Sequence, residues 1–324
     1  MVLIRKFNKG DLKYILDNIS KDFEVVIPEE YSDENLSTIV KDADVLMGFS
    51  VSKKVLEAAE NLKVFQVPAA GIDRLDLSLF KNKEVKVCNS HSNASYVAEY
   101  AIGLMFTLVK KIANNDRNMR KGKWLIPSKN PENIPDNING KTIGFLGFGN
   151  IGQNIASCLC GFDIDILAFD EKKILHKDIK NLEFASFEKV LKNSDIIFNV
   201  LPLTEETEDL IKIKEFKMMK KTAFLINISR GKIINEKDLF QALKEKIIAG
   251  AAIDVWYDEV YRRDEVKYPS KKYEFHKLEN IVLSPYTASI SKDKSTHLID
   301  AIKNLNNYVE GKELSNIINI NKGY

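Results

Sequence analysis

Short apolar runs separated by amphipathic stretches recur along the whole chain. In the first part they lie at residues 2–4, 25–27, 45–48, 64–67 and 85–88, with apolar positions at helical spacing in 12–19, 36–40 and 55–59. Runs this short and continuous read as strands covered on both faces, and their alternation with helices predicts parallel sheets. From Lys141 the same grammar resumes, with strands expected at 142–146, 164–169, 196–200, 222–228, 249–254 and 281–284. Asn235 followed by Asp238 predicts an N-cap that opens a helix over 239–244. Residues 94–113 predict one long apolar helix able to cross between domains, and 294–311 another that returns to the first. Residues 121–139, rich in Pro, Asn and Gly, predict a loop for an interdomain or subunit contact. The pattern predicts an α/β protein of two doubly wound parallel-sheet domains with a cleft between them, 1–93 with 291–324 forming one and 94–290 the other.

Within that pattern the sharpest local signal is Gly147-Phe148-Gly149-Asn150-Ile151-Gly152, which follows an expected strand and opens a helix. Gly147 allows a tight turn, Gly149 lets backbone approach a pyrophosphate, and Gly152 lets the helix pack close to the strand. The helix begun by Asn150 and Ile151 then turns its N–H groups and dipole toward the phosphates. Asp170 lies 18 residues past Gly152, at the tip of the run 164–169, where a carboxylate accepts ribose hydroxyls. Together they predict a Rossmann-type dinucleotide site, with Asp170 favouring NAD over NADP.

Composition narrows the picture. At 324 residues and 44% hydrophobic, the chain is large enough for two cores. Its formal net charge of +2 supplies no broad field for nucleic acid or anionic membrane, so neither is expected as a partner. Cys88, Cys158 and Cys160 are too few and too hydrophobically embedded for a disulfide framework, and the last two read as core or helix-surface residues rather than metal ligands. No apolar run reaches membrane-spanning length, and residues 2–4 are too short for a signal segment, which leads to the expectation of a cytoplasmic protein without a metal.

Further motifs fall in one order. They are Pro68-Ala69-Ala70-Gly71-Ile72-Asp73, Asn93-Ala94-Ser95-Tyr96-Val97-Ala98-Glu99, Leu201-Pro202-Leu203-Thr204-Glu205-Glu206-Thr207, Asn227-Ile228-Ser229-Arg230-Gly231 and Asp254-Val255-Trp256-Tyr257-Asp258-Glu259. From about Val45 to Leu298 the chain resembles the D-isomer-specific 2-hydroxyacid dehydrogenases. The resemblance implies that Ala70 and Gly71 hold a substrate carboxylate through backbone N–H groups, and that Leu201, Pro202, Thr207 and Ile228 line the cofactor. It implies that Arg230 and Glu259 are catalytic and that Asp254 orients the nicotinamide carboxamide, although an Asp at a strand end by itself reads as a helix or loop cap. It also implies a homodimer built around residues 94–139. The family's last motif carries a histidine; here Ser284-Pro285-Tyr286-Thr287-Ala288 places Tyr286 at that position.

The departure bears on the chemistry. Reducing a 2-oxo acid needs a held carboxylate, a polarised ketone facing the nicotinamide, and a proton for the new oxygen. Arg230 supplies a permanently charged fork for carboxylate and ketone oxygen, stabilising developing alkoxide charge. In relatives the glutamate raises the histidine's pKa; beside Tyr286 it would push a phenol, already at about 10, further up. Two alternatives stand: Tyr286 donates the proton in the reductive direction, or it only shapes the pocket. His91, in the loop 89–93, is the one other candidate for the proton or for substrate contact; His297 is weaker, and His176 and His276 have no motif context. Residues 260–277, longer than the usual link, either cover the cleft, meet a second subunit or form an exposed loop. Gly48-Phe49-Ser50 lacks the arginine typical of the phosphoglycerate branch, and with the last residue at Tyr324 no regulatory domain is expected. The expected substrate is thus a small unphosphorylated 2-oxo or 2-hydroxy acid of the glyoxylate or hydroxypyruvate kind. The rival expectation is a catalytically impaired NAD(H)-binding sensor; a formate-oxidising relative ranks last.

Overall fold

A computed structural model describes residues 1–4, 7–126, 129–175, 177–257, 268–292 and 295–324. The chain divides into two compact units, Met1–Asn93 with Ser291–Tyr324, and Ala94–Ile290.

The first unit is built on a five-stranded parallel sheet of β1 (Val2–Ile4), β2 (Val25–Val26), β3 (Val45–Met47), β4 (Val64–Gln66) and β5 (Lys86–Cys88), in the order β2-β1-β3-β4-β5. Strand side chains alternate between two cores, as a period of two requires. Leu3, Leu46, Phe65 and Val87 pack with Leu36, Val55 and Leu56 on one face. Val2, Ile4, Val45, Met47, Val64 and Cys88 pack with Ile15, Leu298, Ala301 and Leu305 on the other. Helices α1 (Lys9–Asn18), α2 (Asp33–Ile39) and α3 (Lys53–Ala58) each start at a side-chain N-cap: Asn8, Ser32 and Ser52. Each accepts one of the N–H groups that a helix start leaves without a partner. The helix expected at 294–311 is shorter: a 3-10 turn at Thr296–Leu298 runs into a helix at Ile299–Val309.

The second unit carries seven parallel strands: β6 (Lys141–Leu146), β7 (Ile164–Phe169), β8 (Leu182–Phe184), β9 (Ile196–Asn199), β10 (Phe224–Asn227), β11 (Gly250–Ile253) and β12 (Ile281–Leu283). Their order is β12-β11-β10-β9-β6-β7-β8, so the chain reverses direction across the sheet between β6 and β9. Helices α4 (Ala94–Val109), α5 (Ile112–Arg120), α6 (Asn150–Cys158), α7 (Phe187–Asn193), α8 (Ile213–Met218) and α9 (Glu236–Lys244) complete it. Asn235 caps α9 as expected, its Oδ1 accepting from Asp238 N at 3.2 Å.

Three expectations need correction. The single helix 94–113 is two helices: Lys111 adopts φ 57°, a left-handed conformation that cannot continue α4. Ile112 and Ala113 resume the apolar pattern directly after Lys110 and Lys111, which is why periodicity misses the break. Strand β8 was not expected, because three residues at a sheet edge show too little alternation to read. Cys158 and Cys160 are exposed on and just after α6, not embedded; only Cys88 is buried, and burial pushes its thiol up to about 11.

Candidate active site

In a parallel sheet every strand ends on the same edge, and ligands bind beyond the carboxyl ends where the strand order reverses. In the second unit that edge collects the glycine turn after β6, Asp170 after β7, Leu201 after β9, Arg230 after β10, Asp254 after β11 and Tyr286 after β12. Parallel topology thus assembles six segments that lie far apart in sequence.

The glycine turn fits a dinucleotide. Gly147 has φ +85°, and a Cβ there would come within 3.0–3.1 Å of the backbone of Val200 and Leu201. At Gly152 a Cβ would sit 3.2 Å from Gly147 O and the Phe148 ring, so only glycine allows α6 to pack this closely. At Gly149, by contrast, a Cβ would meet nothing within 4 Å. Open space lies over the start of α6, which no side chain caps, and the first-turn N–H groups of Asn150 and Ile151 are the donors an anion needs. Asp170 accepts from Phe148 N at 2.8 Å through Oδ2, and from Lys172 N and Lys173 N through Oδ1. Three of its about four acceptor sites are used, leaving one lone pair for a hydroxyl. Gln153, missed in the sequence, is 1% exposed and donates to Phe148 O at 2.9 Å and Ile174 O at 2.8 Å, binding the glycine turn to the loop after β7. Its signal, a glutamine on the first turn of an apolar helix, is too generic to read.

Beyond β9 and β10, two buried amides set the backbone. Asn199 and Asn227 are register partners, and Asn199 Nδ2 donates to Asn227 Oδ1 at 3.0 Å. Asn227 also accepts from Ser229 N and donates to Arg230 O, folding the Arg230 loop around itself. Ser229 Oγ donates to Leu201 O, joining this loop to the segment where Thr207 Oγ1 donates to Pro202 O at 2.6 Å. Buried Ile228 anchors the start of the loop. Arg230 is half-buried, its Nη1 donating to Ser229 O at 2.8 Å. At Gly231 a Cβ would lie 2.6 Å from the carbonyl carbon and oxygen of Trp256. This glycine is what lets the arginine loop press on the segment after β11.

That segment holds the turn that carries Tyr286. Asp254 is 2% exposed. Its carboxylate accepts from Ser284 Oγ, from Thr287 N at 2.8 Å and from Ala288 N at 3.0 Å, while its carbonyl accepts from Tyr286 N at 2.9 Å. These bonds cap the turn 284–288, as an Asp at a strand end does by itself. Trp256 Nε1 donates to Ser284 O at 2.9 Å. Tyr286 itself has φ 61°. Such a conformation costs a bulky residue about 1–3 kcal/mol and persists only where surroundings over-determine it, as Asp254 does here. Its half-buried ring packs against the apolar cluster that contains Trp256 and Phe275. Glu259 lies outside the described residues, as do 260–267 of the long link. In the rest of that link Phe275 is buried and Tyr268 stacks on His276, with centroids 3.8 Å apart.

In the first unit, the loop after β4 is shaped by the loop after β5. Ala69 O accepts from Ser90 N at 3.1 Å, and Ala70 O accepts from Asn89 Nδ2 at 2.7 Å. A trans peptide points its C=O and N–H in opposite directions, so the N–H groups of Ala70 and Gly71 face away from those partners. Asn89, 5% exposed, was not singled out in the sequence. His91 is half-buried, and its N–H donates to Asp300 Oδ2 at 2.8 Å. His297 Nε2 lies 3.8 Å from Asp11 Oδ2; burial lowers its pKa, opposed by the Asp11 charge. His176 lies outside the described residues.

Comparison with known proteins agrees with this architecture. Residues 102–288 match the family model for the D-isomer specific 2-hydroxyacid dehydrogenase, NAD binding domain. A glyoxylate reductase from Korarchaeum cryptofilum is 31% identical over 314 residues, covering 94% of this chain and 92% of that protein. D-lactate dehydrogenase with NAD+ from Lactobacillus jensenii superposes with a TM-score of 0.77 at 26% identity, covering 98% of this chain and all of that one. An acyclic imino acid reductase (Bsp5) in complex with NADPH and D-Arg reaches the same TM-score, identity and coverage. One fold therefore serves more than one substrate class. The glycine turn, the carboxyl-edge constellation and these matches lead to one conclusion: the chain belongs to the D-isomer specific 2-hydroxyacid dehydrogenase family, as an NAD-dependent oxidoreductase of 2-oxo and 2-hydroxy acids.

Proposed function

We propose that this chain reduces a small unphosphorylated 2-oxo acid, of the glyoxylate or hydroxypyruvate kind, with NADH, and that Arg230 and Tyr286 carry the polar chemistry. The observation that carries this reading is the coupling of their two loops through Gly231 against Trp256, and Trp256 against Ser284. Bound NADH supplies the hydride. Arg230 holds the carboxylate and ketone oxygen and takes up the negative charge that develops there. The N–H groups of Ala70 and Gly71 hold the carboxylate, and Glu259 biases the neighbouring acid. Tyr286 donates its phenolic proton to the new hydroxyl; as a weak base it makes the reverse oxidation slow. Along the cofactor, Gly147, Gly149, Asn150, Ile151 and Gly152 take the pyrophosphate, Asp170 the ribose, and Leu201, Pro202, Thr207 and Ile228 the flanks, with Asp254 beside the nicotinamide. His91 is the reserve candidate for substrate contact.

An unphosphorylated substrate is supported by Phe49, which stands where the phosphoglycerate branch carries an arginine. A homodimer is supported by the exposed Ile112, Met119, Trp124, Ile126 and Ile134, concentrated in and after α5. The packing of the Tyr286 ring on the apolar cluster favours a second reading, a catalytically impaired NAD(H)-binding protein.

Steady-state NADH oxidation against a panel of 2-oxo acids separates them. If Tyr286 is the acid, Tyr286→Phe loses most of kcat and keeps its NADH affinity. Unchanged turnover in Tyr286→Phe refutes that role. A wild type inactive on every substrate, with a large gain in Tyr286→His, establishes the impaired reading.

A further inference from the structure

Asp254 does not hold the Tyr286 turn unaided. Ser284 is 4% exposed, and its Oγ is hydrogen-bonded to Asp254 Oδ1 and lies 2.8 Å from the phenolic oxygen of Tyr100, on α4. The direction of this chain follows from donor accounting. Both Asp254 oxygens accept backbone N–H groups, from Thr287 and Ala288, and Ser284 Oγ gives its one proton to the same carboxylate, which only accepts. Ser284 Oγ then has no proton for Tyr100, and the Tyr100 hydroxyl donates. Tyr100 O–H to Ser284 O–H to the Asp254 carboxylate is a single polarised relay ending on a buried charge, where each bond strengthens the next.

We propose that Tyr100 and Ser284 are positioning residues for the reaction: through Asp254 they hold the left-handed turn that presents Tyr286. This rests on the reading of Tyr286 as the proton donor. The relay fixes the rotamer of Asp254, and that rotamer places one carboxylate oxygen under Thr287 N and the other under Ala288 N. Those two bonds, with Tyr286 N to Asp254 O, hold Tyr286 at φ 61°, which its own preference disfavours. Trp256 Nε1 pins the carbonyl side of Ser284, so the residue is held from both ends. The ring of Tyr100 packs against the apolar cluster formed with α4, so its hydroxyl is delivered from a rigid element rather than a loop.

The test combines amide hydrogen exchange, read by mass spectrometry on the full chain, with steady-state kinetics. In Tyr100→Phe, and likewise in Ser284→Ala, peptides covering 284–290 should exchange about tenfold faster, the equivalent of one lost hydrogen bond, with no change elsewhere in the second unit. Ser284→Thr, which keeps the hydroxyl, should restore slow exchange. The kcat for 2-oxo acid reduction at saturating NADH should fall, while the dissociation constant of NADH, read by its fluorescence, stays put. Combining Tyr100→Phe with Ser284→Ala should add little to either single change, because both break one relay. Unchanged exchange at 284–290, or an equal rise across the whole unit, overturns the proposal. So does faster exchange in an active enzyme whose kcat does not fall. A wild type without turnover, together with the predicted local exchange, defeats the reductase reading and supports the relay's hold on the turn.

Discussion

Gly231→Ala isolates the contact on which the catalytic geometry depends. The added Cβ would lie 2.6 Å from both the carbonyl carbon and the oxygen of Trp256, against 3.4–4 Å for ordinary contact. Both atoms are main chain, so no flexible side chain can yield, and the two segments must part by about 0.8 Å, the difference between those distances. Overpacking on this scale costs about 1–3 kcal/mol. For a unit of this size that lowers Tm by about 2–4 °C per kcal/mol. The effect on rate should be larger than the effect on stability. Displacing the Arg230 loop from the Trp256 segment moves one arm of the site by close to 1 Å, which costs about 100-fold in turnover. The glycine turn after β6 is untouched, whereas Ile228 and Asp254 flank the displaced contact, so NADH affinity should fall less than kcat/KM. Thermal melting, NADH titration and kcat/KM for the best 2-oxo acid together make the assay. A variant with wild-type Tm and kcat/KM would refute the claim that these two backbones are pressed together.

Three further predictions follow from other parts of the molecule. Asn227→Leu removes the buried amide that accepts from Asn199 and Ser229 and donates to Arg230 O, and should cost about 3 kcal/mol in urea unfolding; a loss below about 1 kcal/mol would show that those groups find other partners. Asp170→Ser should narrow the preference for NADH over NADPH, read as the ratio of their dissociation constants; an unchanged ratio would remove Asp170 from cofactor choice. Burial depresses the folded-state pKa of His297, so between that lowered value and the ordinary histidine value of about 6.5 the unfolded chain binds more protons. Stability conferred above 6.5 is therefore lost as pH falls through this window, and urea midpoints at pH 7 and 5.5 should converge in His297→Gln; an equal drop in both proteins would clear His297 of the effect.

Much of this architecture is readable from local pattern. The strands of both sheets appear as short apolar runs because both faces are covered, and Asn235 announces α9 because capping chemistry involves neighbours only three residues apart. The tight turn read at Gly147 and the close packing read at Gly152 match φ +85° and a Cβ position 3.2 Å from Gly147 O. Other features depend on partners too distant to pair by eye. Asp254 meets Ser284, Thr287 and Ala288, 30 or more residues later, and Asn89 meets Ala70 across two strands. Tyr100 looked like one more apolar position on a helix; only its hydroxyl, 184 residues from Ser284 in sequence, reveals the relay.

What the sequence determined by itself is backbone permission and side-chain chemistry: which runs are buried, where glycine is required, which dinucleotide is favoured, and that a phenol stands where relatives carry an imidazole. The tertiary structure decided which donor meets which acceptor. A single Asp254 carboxylate was free, on sequence alone, to face a cofactor or the chain; in the fold it is mostly committed to the turn beneath Tyr286. The reason is physical. Periodicity and propensity act over a few residues, whereas a buried charge must find its donors wherever the packed sheet brings them.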